Sequence, residues 1–420
     1  MERELLKAKP VVRRLKYLME QYVKDLNRSD QEEYSGSYSI FEYDEPLYRA
    51  LFETEYANTH LDCEFFNSTL HHMIVGHELR DPEEIFNGLL KYIQDTTHTR
   101  DWVSIFPLRF NRFLSRGPSV KGISHIGRFK LVEARGGHSE LKTFLKEEFG
   151  FEKLCDESYS YMTFEKYSDG ALRNDAFLAF EAYGSEESRN YSSIQKFNYF
   201  CRVFEIFSVL SGSPNFKATS STKNIHHAFF VNKNAGTIDY HPLAQPSRLE
   251  FQYSESFREF SKDNDFEFFA NRIFYAADKV FARIRSAMYF FSKGLNGRDH
   301  VMNFLSYIIA IESLFSSSDK GKIKETLACY ISKLCYMKNE QEKYSNLVKD
   351  LYKQRSDIVH HGKFDLRGEA LEQARDIAAT AILACFKLHR DLLMEEERAN
   401  LETRFFKHLK SLSQVETEAG

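Results

Sequence analysis

The stretch Tyr352-Lys-Gln-Arg355-Ser-Asp-Ile-Val-His360-His361-Gly362 decides how the C-terminal part of the chain folds. The apolar residues from Tyr344 to Val359 recur at the spacing of an amphipathic helix that faces a core. Arg355 falls inside this apolar stripe, so a guanidinium occupies a position where the pattern favours leucine. The glycine after the two histidines predicts that the helix ends there.

A helix is also predicted upstream in the chain, over Arg298–Phe315. It too carries one charge in its apolar stripe, at Glu312. A charge on a buried helix face is costly unless it is paired. We therefore expect Arg355 and Glu312 to contact each other inside a helical bundle. A structural ion pair that fixes the helix register and a functional site explain the pattern about equally well.

His360 favours the functional interpretation but adds a geometric difficulty. On a straight helix, Arg355 and His360 lie about 140° apart, because five steps of about 100° separate them. The two side chains therefore cannot both point at one small target from a single straight helix. Either the helix bends, or another surface, such as a second copy of the chain, completes the site.

The segment from Arg355 to His360 resembles the Arg-x4–6-His motif of the HEPN superfamily (higher eukaryotes and prokaryotes nucleotide-binding domains). The tyrosine before Arg-Ser, the Ile-Val-His after it and the upstream segment Ala310-Ile-Glu312-Ser-Leu-Phe315 are similar to the Apea-like branch. The resemblance covers residues 265–395. His361 departs from the family pattern because it stands between the motif histidine and the glycine. Either histidine can be the catalytic one, and we favour His360.

The resemblance implies a metal-independent endoribonuclease that uses the 2′-hydroxyl of RNA as an internal nucleophile and needs no cofactor. His360 would be the general acid or base, and Arg355 would hold the scissile phosphate. Glu312 would orient Arg355. Asp357 or Ser356 would position the histidine or a water molecule.

The resemblance also implies partners and a biological role. Members of the family often form the site across a homodimer of motif helices, and Apea-like proteins resemble toxins of bacterial anti-phage (abortive infection) systems. The expected partners are RNA, with tRNA among the candidates, a second copy of the chain, and a phage-derived trigger or other regulator. The N-terminal region would then be a sensor or a substrate-selection domain.

Two other functions fit the sequence less well. The first is a non-catalytic HEPN-like module that binds a nucleotide or a protein and keeps Arg355 and Glu312 as a structural pair. The second is a metal hydrolase in the N-terminal region, where His71-His72 precedes His77-Glu78. The five-residue spacing of His72 and His77 differs from the three or four that helical metal sites favour, so we expect no metal there.

Composition places the chain among cytoplasmic proteins of two domains. It has 420 residues, too many for one ordinary core, and a formal charge of −4, which argues against a general polyanion-binding surface. The six cysteines are scattered, as in a protein of the reducing cytosol. The charged N-terminus is unlike a signal peptide, and no apolar run is long enough to span a bilayer.

The pattern predicts an α+β fold: an N-terminal mixed α/β domain over residues 1–250, an all-α antiparallel bundle over 265–395, and a helical or polar tail over 396–420. We predict a linker between Pro242 and Asn264. The predicted strands are 61–66, 103–110, 128–132, 160–164, 176–182, 227–231 and 237–240. The predicted helices are 2–27, 45–52, 81–92, 139–149, 191–210, 269–291, 298–315, 320–334, 341–359 and 369–394.

Overall fold

The computed structural model describes residues 17, 20, 102–108, 123–133, 138–151, 176–182, 186–212, 227–234, 236–242, 254–274, 278–315, 323–362, 364–366, 369–395 and 401–414. The described residues form an α+β structure, with one antiparallel sheet and ten α-helices. Several predicted elements lie outside these residues: most of the helix at 2–27, and the segments 45–52, 61–66, 81–92 and 160–164. The histidines at 71, 72 and 77 lie outside them as well.

The sheet has six strands in the order β2-β3-β4-β1-β5-β6, and every neighbouring pair is antiparallel. The strands are β1 (Trp102–Leu108), β2 (Ile123–Ile126), β3 (Phe129–Glu133), β4 (Ala176–Ala182), β5 (His227–Asn232) and β6 (Ile238–Pro242). Five of these strands confirm predicted ones to within two or three residues. The prediction missed β2, which is only four residues long.

Helices cover both faces of the sheet. Because side chains alternate along a strand, Val103 and Ile105 of β1 pack with α1 (His138–Phe149), whereas Phe106 faces the other way. Phe106 stacks on Phe197 of α2 (Glu186–Leu210), with ring centres 4.4 Å apart. The sheet therefore lies between α1 and α2.

Helix α2 connects the sheet to the C-terminal helices. A single hydrophobic core contains side chains from the inner face of the sheet, from α2 and from the bundle. Phe204 of α2 stacks on Phe257 of α3 (Glu255–Asp263) at 4.3 Å. This segment corrects the predicted linker, because residues 255–263 form an amphipathic helix that is capped by Ser254 and buries Phe257.

The bundle contains α5 (Lys279–Asn296), α6 (His300–Phe315), α7 (Ile323–Cys335), α8 (Gln341–His361) and α9 (Ala370–Met394). These bounds agree with the predicted helices except at the first one. The helix predicted over 269–291 is wrong at its start, because α4 (Phe266–Asn271) and a 3₁₀ turn (Arg272–Phe274) precede α5. Helices α5 and α6 approach closely at Gly294, where a Cβ atom would lie 2.9 Å from the carbonyl oxygen of Asn303.

The segment after the bundle contributes to the same core. Helix α10 (Leu401–Gln414) buries Phe405 and Leu409 against α7, α9 and α5. The predicted helical tail is thus packed over residues 401–414. None of the described helices combines the length and the apolar character that crossing a bilayer requires.

Asp278 explains why α5 begins where it does. Its Oδ1 accepts the backbone N–H of Phe281 at 2.8 Å, and its Oδ2 accepts from His389 Nε2 of α9 at 2.9 Å. Burial raises the pKa of Asp278, but the hydrogen bonds from His389 and Phe281 and the charge of Arg272 lower it below its ordinary value. Asp278 therefore caps α5 and ties it to α9.

Asp278→Ala removes both contacts, so we expect the free energy of unfolding to fall by about 2–4 kcal/mol in urea denaturation. Asp278→Ser keeps a cap acceptor for the Phe281 N–H and loses the contacts of Oδ2 with His389 and Arg272, so it should cost about half as much. Equal losses for the two variants would contradict this division of the two roles.

Candidate functional site

Helices α6 and α8 bring the two predicted charges together. Arg355 Nε lies 3.5 Å from Glu312 Oε1, which confirms that the two side chains pair. Each charge belongs to the apolar stripe of its own helix. The neighbouring residues of these stripes, Phe315 on α6 and Leu351 and Ile358 on α8, are buried.

The prediction that this pair is buried inside the bundle is wrong. The side chains of Arg355 and Glu312 are 25% and 22% exposed, so the pair lies at the edge of the core and faces solvent on one side. A partly hydrated pair loses less solvation free energy than a fully buried one. Water or a ligand can therefore reach the guanidinium from the exposed side.

Tyr352 is a third member of this group. Its ring centre lies 5.7 Å from the guanidinium carbon of Arg355, within the range of a cation–π contact. Burial and the neighbouring Glu312 carboxylate raise the pKa of the Tyr352 hydroxyl above its ordinary value. Tyr352 is three residues before Arg355, which places both side chains on one flank of α8.

His360 lies near the end of the same helix and is exposed. Helix α8 continues without interruption through Arg355 and His360. The helix ends at Gly362, which has φ +63° and donates its N–H to the carbonyls of Asp357 and Ile358. His360 therefore points away from the face that carries Arg355 by about 140°.

The residues predicted to support catalysis, Ser356, Asp357 and His361, lie on two sides of α8. His361 Nδ1 is 3.5 Å from Asp357 Oδ1, one turn earlier. Asp357 is thus placed next to His361, the second candidate for the catalytic histidine. Ser356 is partly exposed on the flank between Arg355 and His360.

Two features of the structure were missed by sequence analysis. Tyr352 belongs to the motif segment, and its spacing from Arg355 was a usable signal. Glu205, a buried carboxylate in the otherwise apolar half of α2, interrupts the run Val203-Phe-Glu-Ile-Phe207. Within the described residues, no group of three or more His, Cys, Asp or Glu side chains is arranged to hold a metal ion.

No protein-family model, curated protein or solved structure matches the chain. The similarity to the HEPN superfamily therefore rests on the residues of α6 and α8 described above.

The exposure of the ion pair predicts a small contribution to stability. We expect a double-mutant cycle of Glu312→Gln and Arg355→Gln in urea denaturation to give a coupling free energy below about 1 kcal/mol. A cycle on Lys130 and Glu148, which are 2.6 Å apart and 19% and 20% exposed, is the matched comparison. A coupling free energy above about 3 kcal/mol between Glu312 and Arg355 would instead indicate a structural ion pair.

Proposed function

We propose that the chain is a metal-independent endoribonuclease of the HEPN type that uses Arg355, His360 and Glu312. The observation that supports this most is the partly exposed ion pair between Glu312 of α6 and Arg355 of α8, the helix whose last turn carries His360. A fixed, accessible guanidinium binds a phosphate group through charge-assisted hydrogen bonds. A histidine side chain exchanges protons near neutral pH.

In the proposed reaction, one proton is removed from the substrate and one is returned to it. A base removes the proton of the ribose 2′-hydroxyl, and the 2′-oxygen forms a bond to the adjacent phosphorus. The bond from phosphorus to the 5′-oxygen breaks, and an acid protonates that leaving oxygen. The products are a 2′,3′-cyclic phosphate and a 5′-hydroxyl end. Arg355 stabilises the extra negative charge on the pentacoordinate phosphorus, and His360 acts as the base or the acid.

Glu312 and Tyr352 fix the guanidinium for this task. Glu312 contacts Arg355 at Nε, 3.5 Å from its Oε1, and in this proposal the terminal nitrogens of Arg355 bind the phosphate. The Tyr352 ring limits motion of the guanidinium on its flank. In this proposal Glu312 and Tyr352 act on substrate only through Arg355.

A homodimer resolves the divergence of Arg355 and His360. In a dimer of motif helices, Arg355 of one copy and His360 of the other approach the same phosphate. Two large apolar side chains beside the motif are exposed, Val359 by 50% and Phe364 by 66%. A contact between two copies would cover such side chains.

The resemblance to Apea-like proteins supports a biological role. We propose that the enzyme is the toxic effector of a bacterial anti-phage system in the cytoplasm and that it cleaves tRNA or another cellular RNA. The N-terminal region, up to residue 250, would recognise the trigger or the substrate. The packing of α2 against both the sheet and the bundle offers a physical connection between the two regions.

A second candidate function is a HEPN-like module that binds a nucleotide or a protein without cleaving RNA. The separation of Arg355 and His360 by five steps of uninterrupted α8 favours it, because one chain alone then lacks a complete catalytic pair. In that case Arg355→Ala would lower the melting temperature and His360→Ala would change nothing.

We expect the purified protein to cleave RNA in the presence of EDTA, because the internal 2′-hydroxyl needs no metal activation. Replacing a general acid or base typically costs about 10²–10⁴-fold in rate, so His360→Ala should lower the cleavage rate by at least about 100-fold. Cleavage is measured with end-labelled RNA, and the new ends are tested for a cyclic phosphate.

His300→Ala is the matched control, since His300 is an exposed histidine at the start of α6. It should cleave RNA at the wild-type rate. Cleavage that requires magnesium, or that survives in His360→Ala, would reject the proposed mechanism.

A further inference from the structure

Glu205 lies in the second half of α2, where the surrounding side chains are mostly apolar. Its exposure is 2%, and Oε1 accepts a hydrogen bond from Asn296 Nδ2 at 3.3 Å. Oε2 is buried and has no hydrogen-bond partner. An ionised carboxylate with an unpaired buried oxygen is costly, whereas the neutral acid is tolerated more easily.

The contact joins two parts of the fold. Asn296 is the last residue of α5, and α6, which carries Glu312, begins at His300. Asn296 also donates to Ser292 on the preceding turn of α5, at 2.8 Å to the carbonyl oxygen. Glu205 therefore contacts the C-terminal end of α5, immediately before the turn that leads into α6.

The nearby titratable groups do not neutralise Glu205. Arg202, one turn earlier on α2, attracts its charge, but its guanidinium carbon lies 5.1 Å from the ring centre of Tyr289 on α5. No ion pair involves Glu205 among the residues that the structure describes. The titratable groups that interact with Glu205 or with Arg202 are Cys201 on α2, Arg285 and Tyr289 on α5, and Tyr307 on α6.

We propose that Glu205 makes the packing of α2 against the α5–α6 turn dependent on pH: the protonated carboxyl permits close packing, and its ionisation loosens the contact. This inference is independent of the proposed ribonuclease activity. As a consequence, the pH would control how tightly α2 packs against the helix pair α5–α6, which carries Glu312.

The direction of the pH effect follows from the environment. Burial raises the pKa of Glu205 from 4.5 to about 7, against the lowering effects of Ser292, Asn296 and Arg202. At pH values between these two pKa values, Glu205 holds a proton in the folded protein and has released it in the unfolded chain. The free energy of unfolding therefore falls as the pH rises through this range, and the penalty is complete above it.

The test compares wild-type protein with Glu205→Gln at about pH 5 and about pH 8, on either side of the titration. Amide hydrogen exchange, corrected for intrinsic rates, should show weaker protection of α2 and the α5–α6 turn at the higher pH in wild type only. Glu205→Gln should melt at a higher temperature than wild type at the higher pH. Glu259→Gln, an exposed glutamate on α3, is the control and should behave as wild type.

A second variant tests the assignment to the carboxyl group. Asn296→Ala removes the hydrogen bond to Oε1, which lowers the pKa of Glu205, so the midpoint of the pH-dependent change should move upward. Equal corrected protection of wild type at both pH values would overturn the proposal. An unchanged pH dependence in Glu205→Gln would do so as well, and if that variant does not fold, an unmoved midpoint in Asn296→Ala decides against it.

Discussion

The geometry of α8 is the constraint on which the functional account depends. Five steps of uninterrupted α-helix lead from Arg355 to His360, so the two positions diverge by about 140°. Arg355 turns toward α6 and is fixed there by Glu312, whereas His360 faces solvent at the helix end. If the chain cleaves RNA with these two residues, a second surface has to complete the site, and the proposed one is another copy of α8.

The rest of the fold positions the ion pair of Glu312 and Arg355 and leaves both side chains partly exposed. Helix α2 packs against the sheet on one side and against α5 and α9 on the other, so one core extends from β1 to the bundle. Asp278 sets the start of α5, and Gly294 permits its close approach to α6. Glu312 and Arg355 then meet at the edge of that core, where both side chains are partly exposed.

Periodicity predicted those features that depend on which face of an element is apolar. It placed Glu312 and Arg355 in facing stripes and predicted most strands and bundle helices. It could not predict how deeply Glu312 and Arg355 are buried. An apolar stripe shows which side of a helix faces the core, but not how far that side lies from solvent. It also missed β2, the capped start of α5 at Asp278, and α3 with its buried Phe257. In α3, polar residues surround the few apolar ones and so hide a short amphipathic helix among linker-like residues.

The most direct test of a shared site is complementation between two inactive variants. Arg355→Ala and His360→Ala are each expected to lack RNA cleavage. When the two are co-expressed or mixed and allowed to exchange subunits, the mixed dimer contains one site with an intact Arg355 and an intact His360. The account predicts that cleavage returns in the mixture; a mixture as inactive as either variant alone would contradict it.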